Sequence, residues 1–429
     1  MTTVSRRAFV GMAAVGAATS TVSQVAGAAT STGSPVARAD APSDGLSSLT
    51  TNVQPIGAQE HAARIAKIQS LMQQRKIAAL LVEAGSSLEY FTGVRWWRSE
   101  RTTAALIPAR GGVIVITPDF EVPSIRETLK VAADIRSWKE DQSPFDLIAI
   151  AIRELPREEG TVAVEATRRF FILDQVGKAW SAGRPMISGE EIVRACRVIK
   201  SPAELALLQA ANDVTYAALK HIHGGIALGM RASDIKRILT EATEALGGTH
   251  EFSLVLLNEA SAFPHGSVHP QTVRQGSVVL VDTGCSVHGY QSDISRTWVF
   301  GKPTSRQREV WNTVKRGQEI ALETAKIGVP AGEVDKAVRA FYEAKGWSKD
   351  YGLPGTSHRT GHGIGMDGHE PPNLVRNDAT PLEVGMCFSD EPGIYIPGEF
   401  GVRMEDCWYM SEAGPKLFTP LARSIEEPI

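Results

Sequence analysis

Cysteine is scarce in this chain: four residues in 429, at positions 196, 285, 387 and 407. That number and scatter exclude a disulfide framework. Cys285, Cys387 and Cys407 read as small buried packing residues, with a Cys387 to Cys407 bridge in an oxidising compartment as the less favoured alternative. No stretch of about eighteen apolar residues occurs, so no helix is expected to cross a membrane. Lysine and arginine form no run and the formal net charge is -3, so no nucleic-acid partner is expected. What is present is an ordinary globular composition, 43% hydrophobic and 22% charged, over a length sufficient for two domains.

The first residues carry an address. Ser5-Arg6-Arg7-Ala8-Phe9 resembles a twin-arginine export signal, followed by a mild apolar stretch from Phe9 to Ala18 and a small-residue cleavage candidate at Ala26-Gly27-Ala28. Residues 1–28 are therefore expected to be removed from a periplasmic or secreted product. Residues 29–57, rich in Ser, Thr, Pro and Gly and without periodicity, are expected to form a flexible linker.

A smaller α/β domain is expected over 58–195. Ala62 to Gln74 has helical spacing, while Ile77 to Val82 and Gly112 to Ile116 read as strands. Trp96 and Trp97, between Arg95 and Arg98, read as core or interface packing. Adjacent aromatics cannot both face one core from a strand, so one of them is a candidate for lining a pocket. Ser201-Pro202-Ala203-Glu204 then combines an N-cap serine, a proline in the first turn and a capping-box glutamate, which marks the first long helix of a second domain over 196–429. Thr304-Ser305-Arg306-Gln307 repeats that logic further on.

Within the second domain, Asp282, Asp293, His362, Glu391 and Glu405 form an acid-rich set of metal-ligand types. Four carboxylates and one imidazole are wrong for a structural zinc but suit a pair of hard or borderline divalent ions, which points to a dinuclear hydrolase. Val278 to Asp282 reads as a buried strand delivering its acid at the end, Thr283-Gly284 as the turn, and Gly289 to Thr297 as the returning strand. Gly361-His362-Gly363-Ile364-Gly365 sets a histidine among glycines, which allows close backbone approach. Strand alternation puts Arg403 and Glu405 on one face, making Arg403 a candidate to orient the carboxylates.

An internal repeat supports the set. Gly229 to Ile235 matches Gly328 to Val334, and Gly247 matches Gly346, at one offset; Gly276 and Gly385 each lie six residues before Asp282 and Glu391. The acids thus fall into equivalent pairs, Asp282 with Glu391 and Asp293 with Glu405, expected to converge across a pseudo-twofold axis.

On these residues the chain from about Arg197 to Ile429 resembles the pita-bread metallopeptidases of family M24, and with its N-terminal region it is similar to aminopeptidase P and prolidase, the Xaa-Pro peptidases. The resemblance implies an α/β (α+β) architecture with a duplicated pita-bread domain after a creatinase-type N-terminal domain. It implies Asp282 on one metal, Asp293 and Glu405 as bridges, and His362 and Glu391 on the other. It marks His265, His358 and His369 as groups contacting substrate or the reacting carbonyl. The expected cofactors are two divalent ions per subunit, manganese first, with cobalt, zinc or iron as alternatives. The expected reaction is hydrolysis of Xaa-Pro dipeptides or short peptides by a dimetal-bridged hydroxide, in a homodimer.

Rival expectations are another enzyme on the same scaffold, such as a creatinase-like amidinohydrolase or a dimethylsulfoniopropionate lyase, and a non-catalytic peptide-binding module. His221 and His223 read as helix packing or surface residues, His288 as a loop residue with a minor claim on the site, and Arg376 as a solvated loop arginine ahead of a carboxylate grip. Two departures from the family pattern stand out: Asn258 where many relatives carry glycine, and Asn373 in the stretch where a basic residue is expected to hold a dipeptide's carboxylate.

Overall fold

The computed structural model describes residues 45–156, 160–167, 169–180 and 185–429. The expected export signal and residues 29–44 of the expected linker lie outside the described residues. The remainder of that linker is not free chain. Leu49 N–H donates to Leu246 O at 2.9 Å, and Thr50 Oγ1 donates to Gly247 O at 2.9 Å. A Cβ at Gly247 would meet Thr50 Oγ1 at 2.2 Å, so the glycine admits the strap.

The N-terminal part runs α1 (Ala58–Gln74), β1 (Ile77–Glu83), α2 (Ser86–Thr92), β2 (Ala104–Pro108), β3 (Val113–Pro118), α3 (Val122–Thr128), β4 (Ala133–Trp138), α4 (Pro144–Arg153), β5 (Thr161–Val164), α5 (Phe170–Ala179), β6 (Met186–Ser188) and α6 (Glu190–Arg197). Its six strands form one mixed sheet in the order β4-β3-β2-β1-β5-β6. The central strand β1 is buried at every residue, which its Ile-Ala-Ala-Leu-Leu-Val text suits. Leu81 packs with Ile148 of α4 and Ile172 of α5 in the core of this part.

The second part opens with α7 (Pro202–Gly225), α8 (Ala232–Ala245), β7 (Thr249–Leu257), β8 (Ser277–Val287), β9 (Tyr290–Gln291) and β10 (Ile294–Phe300). It then repeats itself: α9 (Ser305–Thr324), α10 (Ala331–Ala344), β11 (Gly361–Gly363), β12 (Glu370–Leu374), β13 (Cys387–Asp390), β14 (Gly393–Ile396), β15 (Phe400–Arg403), β16 (Asp406–Ser411) and β17 (Gly414–Leu417). The sheet β10-β8-β7 answers the run β16-β13-β11 of the five-stranded sheet β12-β11-β13-β16-β17, so the halves are two copies of one helix-helix-sheet unit. Both expected capping boxes are present, Ser201 with Glu204 and Thr304 with Gln307. The glycine pairs keep matching left-handed conformations, φ 85° and 84° at Gly229 and Gly328, 79° and 89° at Gly276 and Gly385.

The halves are stitched at their centre. Ser295 N–H donates to Glu405 O at 3.3 Å and Glu405 N–H returns to Ser295 O at 3.0 Å. Beside this bridge, Arg296 Nη2 meets Asp406 Oδ1 at 2.7 Å with both side chains fully buried, and Gln318 Nε2 donates to Asp406 Oδ2 at 2.9 Å.

A second buried ionic cluster joins the N-terminal part to the duplicated part. Arg197 pairs with Glu370 and, at 2.9 Å, with Asp367, and it donates to Ser86 Oγ at 3.0 Å and Ser87 Oγ at 3.2 Å. Lys200 Nζ completes the cluster at 2.9 Å from Glu370 Oε2. Burial alone would raise the Glu370 carboxyl, but Arg197 and Lys200 override it and hold the group at about 2, below its ordinary 4.5. A depressed carboxyl stabilises the folded chain fully above its ordinary value, and that contribution is lost as pH falls from 4.5 toward 2. Glu370→Gln is therefore expected to cost about 3 kcal/mol at pH 7, the penalty of leaving buried cations unpaired. In urea unfolding the gap to the natural chain should narrow at pH 3; a gap of the same size at both pH values contradicts the assignment.

Candidate metal centre

Strand β8 carries Asp282 in its middle, not at its end, opposite Ser295 of β10 and Leu254 of β7. The expected turn at Thr283-Gly284 is absent, because both residues continue the strand and the chain reverses at His288 and Gly289. Gly284 is required for another reason: a Cβ there would lie 2.2 Å from Ser292 O. Asp293 sits just before β10 and Glu405 just before β16, equivalent places in the two halves, and Glu391 directly follows β13. His362 lies on β11 between two glycines whose Cβ atoms would strike Ser389 O at 2.2 Å and Glu370 O at 2.5 Å. The expected close approach of backbone is thus real at both positions.

The five side chains converge. His362 Nε2 is 3.5 Å from Glu391 Oε1, 3.7 Å from Asp293 Oδ2 and 3.9 Å from Glu405 Oε1. His362 Nδ1 donates to Gly363 O at 3.0 Å, which fixes the proton on that nitrogen and turns the Nε2 lone pair toward the carboxylates. Donor atoms of Asp282, Asp293 and Glu405 lie within 4.8 Å of one another, as do those of His362, Glu391 and Glu405, and those of Asp293, His362 and His369.

Without a cation this cluster is electrostatically costly. Burial, then the neighbouring carboxylates, push Asp293 and Glu405 well above the usual carboxylate range. Burial lifts Glu391 to about 7, against the pull of Arg403. His362 is held well below its ordinary value, chiefly by burial, and so stays a neutral lone-pair donor. Asp282 Oδ1 and Glu405 Oε1 are buried oxygens with no hydrogen-bond partner. Orphaned carboxylate oxygens beside an aimed imidazole fit hard or borderline divalent cations.

Arg403 does what the strand alternation suggests. It pairs with Asp282, donates through Nε to Ser295 Oγ at 2.9 Å and through Nη1 to Tyr395 Oη at 3.1 Å, while Ser295 Oγ donates to Glu405 Oε2 at 2.8 Å. Tyr395 continues the chain by donating to His358 Nε2 at 2.8 Å, because His358 Nδ1 is engaged with Arg359 O at 2.8 Å. Burial and then Arg403 hold His358 at about 3, hence neutral. His369 stacks edge-on against His362 with ring centroids 4.1 Å apart, and its side chain reaches the solvent-facing rim. His265 stands exposed on the loop after β7, near His358 and His369.

Other candidates resolve away from the centre. His288 Nε2 lies 3.1 Å from Val53 O at a hairpin apex. His223 packs against Trp298 at 5.2 Å, and Arg376 pairs with Asp350 at 3.0 Å. Trp96 and Trp97 are not core residues: they stack on each other at 4.8 Å, and Trp97 is 67% exposed. Cys387 and Cys407 are free and buried, with no bridge. Ser295, Tyr395 and Arg359 escaped sequence reading, since their partners lie 37 to 110 residues away or across a ladder with no local signature. Asn258 has φ 54°, the left-handed conformation that asparagine tolerates best after glycine.

Comparison with known proteins agrees with this geometry. Residues 206–412 match the model of metallopeptidase family M24, and residues 64–199 match the creatinase/prolidase N-terminal domain. The chain is 30% identical over 365 residues to the probable dipeptidase PepE of Mycobacterium tuberculosis, covering 83% of this chain and 94% of that protein. It is 30% identical over 364 residues to the Xaa-Pro dipeptidase of Lactobacillus helveticus, covering 84% and 97%. The crystal structure of dipeptidase PepE from Mycobacterium ulcerans superposes with a TM-score of 0.77 at 28% identity, over 86% of this chain and 97% of that one.

Protons and cations compete for the same oxygens. A raised carboxyl binds its proton more tightly in the folded chain, so its contribution to stability falls as pH rises, and a cation reverses this by replacing the proton. The gain in Tm on adding manganese to chelator-treated protein is expected to be larger at pH 7.5 than at pH 5, on either side of the Glu391 value of about 7. Thermal unfolding at both pH values checks this, and Asp293→Asn should abolish the difference. A gain independent of pH means that the ions go elsewhere.

Proposed function

The chain belongs to metallopeptidase family M24 and is a metal-dependent peptidase; we propose that it cleaves the Xaa-Pro bond of dipeptides using two divalent ions. The observation that carries the proposal is the convergence of Asp282, Asp293, His362, Glu391 and Glu405 in a chain whose relatives include Xaa-Pro dipeptidases. Asp282 would serve one ion, His362 and Glu391 the other, with Asp293 and Glu405 shared. Glu405 belongs to both the Asp282 cluster and the His362 cluster of donors, which supports that division.

Divalent ions held by these residues would supply Lewis acidity and make water a stronger nucleophile near neutral pH. The protein's own side chains do the rest. Arg403, held by Ser295 and Tyr395, keeps Asp282 and Glu405 oriented. Glu391 sits half-buried beside His358, its Oε2 3.7 Å from Nδ1, placed to take a proton from the attacking water and pass it to the departing nitrogen. His369, neutral and next to His362, is placed to donate a hydrogen bond as charge builds on the carbonyl oxygen, with His265 on the same rim. Proline's nitrogen in the scissile amide carries no hydrogen, so recognition must come from ring shape and from the groups flanking the bond. We further propose that residues 1–28 direct export by the twin-arginine route, which carries folded cargo and would let the ions be acquired before release.

Metal analysis joined to hydrolysis of Xaa-Pro, Xaa-Pro-Xaa and proline-free peptides tests the proposal. Cleavage confined to the proline peptides and lost on chelation is the expected result. Asp293→Ala should bind no metal, whereas His369→Ala should keep its metal and lose about 100-fold or more in kcat. Full turnover after exhaustive chelation would remove the basis for the proposal.

A further inference from the structure

Nearly every buried cation around the centre is already spoken for. Arg403 is paired with Asp282, Arg339 with Asp335 at 2.9 Å, Arg296 with Asp406 at 2.7 Å, and Lys200 with Glu370 at 2.9 Å. Arg359 differs. It is half-buried, and among the described residues no carboxylate lies within ion-pair distance of it. Its Nη1 instead donates to a neutral acceptor, Asn373 Oδ1, at 2.8 Å. Asn373 stands directly opposite His362 in the β11–β12 ladder, so this bond fixes the guanidinium next to the metal-ligand histidine. The charge of Arg359 reaches His369, His362 and Glu391, so it stands beside the converged ligand set.

A guanidinium held by an amide rather than a carboxylate keeps its full attraction for an incoming anion, and its planar fork matches a carboxylate. We propose that Arg359, positioned by Asn373, receives the free carboxylate of the substrate and so makes the centre selective for dipeptides over longer peptides. This deepens the peptidase function proposed above and rests on it. In an Xaa-Pro dipeptide the carboxylate is carried by the residue whose nitrogen leaves, close to the bond under attack. In a longer peptide the same position holds an uncharged amide. Arg359 is then a specificity-determining residue with no part in moving protons.

The test compares alanyl-proline with alanyl-prolinamide on the manganese-loaded enzyme, two substrates that differ only in that charge. The natural enzyme is expected to favour the free acid by about 30-fold or more in kcat/KM, the loss typical of unpairing a charge-assisted contact. Arg359→Gln should bring the ratio near one, mainly through KM for the acid. Arg359→Lys should restore part of it, and Asn373→Asp, which sets a carboxylate against the guanidinium, should also lower it. An acid-to-amide ratio near one in the natural enzyme overturns the assignment, as does a ratio that Arg359→Gln leaves unchanged because both substrates suffer equally. Should the natural enzyme cleave neither compound, the Xaa-Pro function fails, and calorimetric binding of the two compounds still decides the role of Arg359. Tighter binding of the acid that is lost in Arg359→Gln supports it, and equal binding overturns it.

Discussion

Like charges crowded into a low-dielectric cavity repel, and the four carboxylates of this centre are the constraint around which the second part of the chain is arranged. One guanidinium, Arg403, cannot neutralise them, and the raised protonation of Asp293, Glu391 and Glu405, caused first by burial and then by their carboxylate neighbours, is the mark of that deficit. The surrounding structure manages the strain in layers. Ser295 and Arg403 hold the oxygens apart and oriented, Tyr395 and His358 brace Arg403, and a neutral imidazole offers its lone pair where a cation must sit. A rigid frame is needed to keep such groups together, because the separated arrangement is lower in electrostatic energy.

Duplication supplies the frame. Each half brings one acid just ahead of a strand, Asp293 before β10 and Glu405 before β16, and a second from the strand paired with it, Asp282 within β8 and Glu391 just after β13. The bridge between Ser295 and Glu405 runs through the middle, so the same two residues join the sheets and shape the cavity. The Arg296 and Asp406 pair lies one residue further along both strands and is fully buried, which helps fix the register of the two halves.

Much of this was legible in the sequence. The acids and the histidine that converge, the glycines around His362 and the repeated capping boxes are local features that local text reports. The duplication was legible because backbone demands recur: glycine is retained where both copies need a left-handed residue. Strand ends were less legible, since Thr283-Gly284 reads as a turn until Ser292 O is seen packed where a Cβ would be. The anchoring of residues 45–57 was invisible because it depends on Gly247, some two hundred residues on. Tyr395, Ser295 and Arg359 share that difficulty, each acting through a partner that only the folded sheet brings near.

The four thiols bear on the fate of the folded protein. Burial pushes Cys196 up to about 11 and Cys387 up to about 12, and it carries Cys285 and Cys407 upward as well. Disulfide exchange and peroxide attack both proceed through the thiolate. Once folded, the chain therefore presents no reactive thiol to an oxidant, and the resistance of its cysteines outside a reducing milieu follows from packing without any crosslink.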